Sequence, residues 1–217
     1  MRTLSKDNAE DVARHLVMAG RLIDADPELA YRHAQVAVAR GGRVDVVREA
    51  GALTAYATGR FAEALREFRT VTRLNGSHEY LALVADCERG LGRPERALEL
   101  AASPEAKGLD KTSKAELQLV VAGARADLGE FDAALLTLDR IAAVDKDQAQ
   151  RIDEARTVIR VAAGLETVAE PAEEPEESED VAAASETDLE DSQELNSAPD
   201  VDDEEVIVYD LEDGEDA

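Results

Sequence analysis

The feature that most constrains this chain is a short segment that returns at intervals close to 34 residues. Gly59-Arg60-Phe61-Ala62-Glu63-Ala64-Leu65, Gly92-Arg93-Pro94-Glu95-Arg96-Ala97-Leu98 and Gly129-Glu130-Phe131-Asp132-Ala133-Ala134-Leu135 share a pattern. Each has a glycine, then an aromatic residue or proline, then alanine and leucine. Asp26-Pro27-Glu28-Leu29-Ala30-Tyr31 is a weaker fourth copy. The aligned alanines Ala30, Ala64, Ala97 and Ala134 are 34, 33 and 37 residues apart. A period of this length marks an array of units that cannot bury their apolar faces alone and so stack on their neighbours. The glycine ends one helix, since it takes the left-handed cap without steric penalty. Pro27 and Pro94 suit the first turn of the next helix, where a missing N–H is harmless. The alanine fits a close crossing of two helices.

Stretches of helical periodicity flank each of these turns. Phe61, Leu65, Phe68, Val71 and Leu74 recur at three and four residues, as do Leu135, Leu138, Ile141 and Val144. The first pair is expected over about 7–23 and 27–40. Asp7 with Glu10 and Ser113 with Glu116 have capping-box spacing and are read as helix starts. Gly41-Gly42, Asn75-Gly76 and Ser103-Pro104 separate successive pairs. The junction over 103–112 is longer than the others and is read as a mobile loop. A last amphipathic segment, Asp147 to Leu165, is expected to cap the open end of the stack. The expected fold is all-α: a right-handed α-solenoid of about four helix-turn-helix repeats plus a capping helix, over residues 1–165.

Charge sets the remaining boundary. The 217 residues carry a formal net charge of −25, yet residues 1–165 hold all 24 basic residues and 26 of the 49 acidic ones. Residues 166–217 hold the other 23 acidic residues and no Lys or Arg. Low hydrophobicity with a charge block of one sign predicts disorder over 166–203. One apolar cluster interrupts the acid, Val206-Ile207-Val208-Tyr209-Asp210-Leu211. Two readings of this tail stay open. It is a solubilising spacer, or it acts itself, as a lure for a basic partner, a nucleic-acid mimic, or a tether for Val206, Ile207, Val208, Tyr209 and Leu211. That cluster has strand-forming residues suited to pairing with a sheet edge or with the stack.

Several function classes are expected to be absent. Cys87 is the sole cysteine, which excludes an internal disulfide and a Cys-based zinc site. His15, His33 and His78 show no metal-ligand spacing, so no metal and no cofactor is expected. Gly90-Leu91-Gly92-Arg93 reads as a helix end rather than a phosphate loop, and no motif nominates a catalytic residue. A basic surplus is missing, so direct nucleic-acid binding is not expected. The first residues lack the apolar run of a secretory signal, and no apolar stretch approaches membrane-spanning length, which together predict a cytoplasmic location. The excess of Arg over Lys, 19 to 5, with abundant Ala, reads as bacterial coding bias.

The period, the turn and the paired helices resemble the tetratricopeptide repeat (TPR) family over residues 11–146. The family's small residue in the first helix matches Ala52, Ala85 and Ala122, and its glycines match Gly59, Gly92 and Gly129. Its aromatics match Phe61, Phe131 and, in the second helix, Phe68. Arg48 stands where a bulky residue is usual, and the closing proline is absent at Gly76 and Lys146. The resemblance implies a non-enzymatic scaffold that holds a protein segment in a groove lined by first helices. The positions it places there are His15, Ala19, Glu49, Leu53, Tyr56, Glu79, Asp86, Arg89, Glu116 and Leu119. They include no Lys or Asn, so the family's clamp for acidic C-terminal peptides is not expected, and a basic or hydrophobic segment is. Arg66, Arg69 and Arg73 share a second-helix face, with Arg32 in the corresponding place of the preceding repeat. They form either a solvated ridge paired with Glu63 and Glu67, or a docking ridge for an acidic partner. The alternative to the scaffold is a polyanionic competitor or chaperone in which the tail binds a basic partner.

Overall fold

The computed structural model describes residues 4–166, and these form ten helices and no strand. They are α1 (Lys6–Leu22), α2 (Pro27–Gly41), α3 (Asp45–Ala57), α4 (Phe61–Asn75), α5 (Leu81–Gly90), α6 (Pro94–Ala101), α7 (Pro104–Lys107), α8 (Lys111–Asp127), α9 (Phe131–Asp139) and α10 (Lys146–Ala162). The all-α class is therefore as expected. None of these helices is long and apolar enough to cross a membrane. The tail from residue 167, with Val206, Ile207, Val208, Tyr209 and Leu211, lies outside the described residues.

Each motif glycine closes a helix as its chemistry requires. Gly59, Gly92 and Gly129 have φ of 70°, 71° and 76°. The following amide reaches back five residues: Arg60 to the Ala55 carbonyl at 2.8 Å, Arg93 to Glu88 at 2.9 Å, and Glu130 to Arg125 at 2.9 Å. This 6→1 bond satisfies a carbonyl that the helix end leaves free. The turn recurs where the sequence search did not look for it. Gly164 has φ of 70°, and the Leu165 amide donates to the Arg160 carbonyl at 2.9 Å.

The turns fold the chain into hairpins that meet in chain order. α1 packs on α2, α3 on α4, α5 on α6 and α8 on α9, while α2 meets α3, α4 meets α5, and α6 meets α8. First helices also touch one another, α1 with α3 and α5 with α8, and α10 lies on α8 and α9. The core follows this order as four clusters. Val12, Ala37 and Val47 join the first helices; Ala52, Ala64, Phe68 and Cys87 the next; Ala85, Ala97, Leu117 and Ala124 the third; Ala122, Ala134, Leu138, Ile152 and Ile159 the last. The repeat alanines Ala30, Ala64, Ala97 and Ala134, with Ala52, Ala85 and Ala122, are all at most 1% exposed. A larger side chain at any of them would overpack a helix crossing.

Polar ties repeat at the same interval. Tyr31 donates to Glu63 at 2.8 Å, Arg60 holds Glu28 through two bonds of 2.9 Å, and the Arg60 guanidinium lies 4.1 Å from the Tyr31 ring centre. Gln148 reaches Glu116 at 2.7 Å. Each tie joins one repeat to the next, so the stack is bound by directional contacts as well as by apolar area.

Three sequence expectations need correction. The 103–112 junction is not a mobile loop: Pro104 starts the helical turn α7, and Ala106 and Leu109 are each 8% exposed and packed in the third cluster. α8 starts a turn before Ser113. Its cap is Asp110, whose carboxylate accepts the Ser113 amide at 2.8 Å, so Ser113 and Glu116 form no capping box. α1 likewise begins at Lys6 after Ser5, which places Asp7 inside the first turn rather than at the cap. In each case the chain continues its helix to an earlier residue with a free side chain or an extended backbone, because more intrahelical bonds are then closed.

Candidate functional site: a groove along the first helices

Six of the expected groove residues line one cavity of about 460 Å³. Tyr56 comes from α3, Glu79 from the turn before α5, Asp86 and Arg89 from α5, and Glu116 and Leu119 from α8. Arg151 of α10 also lines it. Ala82, Leu83, Leu119 and Val120 supply an apolar floor. The convergence follows from helical geometry. Residues 79, 82, 83, 86 and 89 advance by three and four, as do 112, 113, 116, 119 and 120, so each set forms one helix face.

The walls of this groove are polar and internally paired. The Tyr56 hydroxyl donates to Asp86 at 2.5 Å. Arg89 donates to Asp86 and to Asp127, each at 2.8 Å, and so ties α5 to α8. Burial opposes the Arg89 charge, but the bond to Asp127 and the charges of Asp127 and Asp86 outweigh it and raise its pKa. Burial, then the Asp86 bond, raises the Tyr56 pKa, so its phenol stays protonated and donating. Glu116 accepts from both Gln148 and Arg151 of α10. Gly123 makes room for this arrangement: a Cβ there would sit 2.4 Å from the Arg89 guanidinium carbon. The Glu79 carboxylate accepts a hydrogen bond from the Ser77 hydroxyl at 3.1 Å. The groove thus combines an apolar floor, internally paired charges and one carboxylate facing solvent.

The remaining groove positions fall elsewhere. Glu49, Leu53 and Ala19 line a separate, smaller apolar pocket of about 150 Å³ between α1 and α3, with Leu16, Ile23 and Val46. Burial, and after it the neighbouring Glu49 carboxylate, raises the Tyr80 pKa. His15 lines neither pocket. Its Nδ1 lies 2.9 Å from Nδ1 of His33 on α2, which places it at the α1–α2 contact instead of in the groove. Helix α1 is rotated so that Val12 and Ala19 meet the core, and position 15 falls between them on the side of α2.

The ridge residues Arg32, Arg66, Arg69 and Arg73 are exposed, as expected. Their expected partners are not theirs. Glu63 faces Tyr31 and Gln35 of α2 in the preceding repeat, and Glu67 pairs with Arg48 of α3, across its own hairpin, at 2.8 Å. Arg69 instead reaches Glu88 on α5 at 3.0 Å, and Arg93 joins the same carboxylate at 3.3 Å. Glu88 is 4% exposed, a buried acid that the sequence search missed, since its two cations come from different helices. Among the described residues, no group of three or more His, Cys, Asp or Glu is placed to hold a metal ion. Comparisons with family models, with curated proteins and with solved structures found no match for this chain.

Proposed function

We propose that this chain is a non-enzymatic protein–protein interaction scaffold, a right-handed TPR-like stack that holds a partner segment along its first helices. One observation carries the reading: side chains from α3, α5, α8 and α10, spread over about 100 residues of chain, meet in one amphipathic groove. Its ion pairs are made within the stack itself, between Arg89, Asp86 and Asp127, so a bound segment need not supply their partners. The apolar floor and the exposed carboxylate of Glu79 fit a segment with apolar anchors and a basic residue. A cytoplasmic setting is part of this proposal.

Affinity capture with the full chain tests it, using Leu119→Glu and Leu83→Glu beside the ridge variant Arg66→Glu. A partner retained by the parent and Arg66→Glu, and lost by folded Leu119→Glu and Leu83→Glu, supports the groove. A partner retained equally by all four chains removes it. The 23 acidic residues of 166–217 favour a second reading, a polyanion that binds a basic partner. Salt separates the two, because binding through exposed charge weakens steeply between low and moderate ionic strength while apolar anchoring persists.

A further inference from the structure

The face of α8 turned away from the groove lines a second pocket. Lys111, Lys114, Ala115 and Gln118 of α8 enclose about 430 Å³ with the α9–α10 connection, Arg140 to Val144. Positions 111, 114, 115 and 118 share one helix face, whereas 112, 113, 116 and 119 line the groove. Ala115 and Ile141 to Val144 make the floor apolar. The rim is cationic. Lys111, Lys114 and Arg140 are exposed, and none pairs with an acid among the described residues. The acids nearest in sequence are engaged. Asp110 stands beside Lys114 but accepts from Ser113, Asp139 pairs with Arg156 at 3.3 Å, and Asp145 accepts the Gln148 amide at 2.7 Å.

The backbone of the connection adds an independent observation. Ile141 to Ala143 belong to no helix, and the Ala142 and Ala143 amides, on two exposed residues, donate to no group among the described residues. Their neighbours are occupied: the Ile141 amide donates to Leu138, and the Val144 amide to the Gln148 side chain at 3.0 Å. Two main-chain donors and three cations therefore face solvent around one apolar floor. The cations call for negative charge, the floor for apolar side chains, and adjacent main-chain N–H groups for the carbonyls of a peptide. The described lining holds no aromatic ring on which a nucleotide base would stack. We propose that this pocket docks an acidic segment of a partner protein. Its apolar side chains lie on the floor, its acids meet Lys111, Lys114 and Arg140, and its carbonyls accept from Ala142 and Ala143. The site shares no lining residue with the groove, so it does not rest on what the groove holds.

The test titrates the full chain against a fluorescein-labelled peptide, Leu-Val-Phe-Val flanked on each side by alternating Asp and Glu, and reads anisotropy. Physiological ionic strength is used, where the Debye length is about 8 Å and only nearby charge acts in full. Saturable binding is expected. Lys111→Glu/Lys114→Glu/Arg140→Glu is expected to weaken it about tenfold or more, since each exposed pair contributes modestly. Ala143→Pro, which removes one amide and no charge, is expected to weaken it several-fold. Arg66→Glu/Arg73→Glu on the ridge and Leu83→Glu in the groove should leave it unchanged. Circular dichroism checks that each variant is folded, and amide NMR should show the Ala142 and Ala143 resonances moving as the peptide is added. Absence of saturable binding overturns the proposal. So does equal binding of the peptide with Lys flanks or with a Ser core, or binding indifferent to the triple reversal. Loss in Leu83→Glu would assign the peptide to the groove, and displacement by an oligothymidylate at equal concentration would assign the pocket to nucleic acid; either result overturns it as well.

Discussion

Arg89 lies across the bare backbone of Gly123, and this fixes the sign of a substitution that helix propensity alone would misjudge. An added methyl in a helix is worth about 0.5–1 kcal/mol over glycine. At Gly20 nothing lies within 4 Å, so Gly20→Ala is expected to raise stability by that amount in urea denaturation. At Gly123 the methyl displaces a guanidinium bonded to Asp86 and Asp127, and bonds to charged groups contribute about 1.5–3 kcal/mol each. Gly123→Ala is therefore expected to destabilise by about 1–2 kcal/mol despite its better propensity. Burial pushes the Cys87 thiol up to about 12, so at neutral pH it is neutral and enclosed. Its reaction with a thiol reagent is expected to proceed at the rate of unfolding, and fast labelling of native protein would contradict the packing. His15 shows the opposite sign. Burial, then His33 and Arg40, hold its pKa below 6.5, against the pull of Asp11. The folded state binds this proton less tightly, so the stability it confers is whole above about pH 6.5 and is lost as pH falls through the lower folded value. Urea midpoints at pH 7 and pH 5 should differ, and by less in His33→Gln.

At the scale of elements, the helix boundaries and the hairpin order were legible because each depends on local chemistry. A glycine that needs positive φ, a proline at a first turn and an alanine at a crossing can be read one residue at a time. The α7 turn was not legible, because Ser103-Pro104 and Gly108 look like loop punctuation, and only Ala106 and Leu109 betray a buried side. Leu109→Ala is expected to destabilise by about 2–3 kcal/mol, the effect of a core cavity; a true loop residue would change little. The groove was partly legible for the same reason as the helices, since a face follows from spacing. The Glu88 triad and the His15–His33 contact were not. Their members come from separate helices, and no spacing within one helix announces them.

For the whole molecule, serial packing predicts that the described helices hold together without the acidic residues beyond them. The core clusters close among residues 4–166, and the local charge is nearly balanced. Removal of residues 167–217 is expected to preserve the helical circular dichroism signal and a single cooperative transition. Loss of either would place essential contacts in the tail. Urea denaturation should also spread unevenly. Disruption near α1 reaches α10 only through the intervening hairpins, so hydrogen exchange should grade along the chain rather than open all at once.

The left-handed turn at Gly164 bears on how such a chain can grow. It closes α10 with the same bond that, at Gly59, Gly92 and Gly129, launches a second helix. Five residues on stands Ala169, the alanine of the motif, although Glu166 takes the place of its aromatic and Pro171 would interrupt a native second helix after its first turn. The tenth helix is thus a threshold as much as a lid, shaped to receive another half-unit in register. A hairpin fused at this point should extend the array without redesign of the residues beneath it.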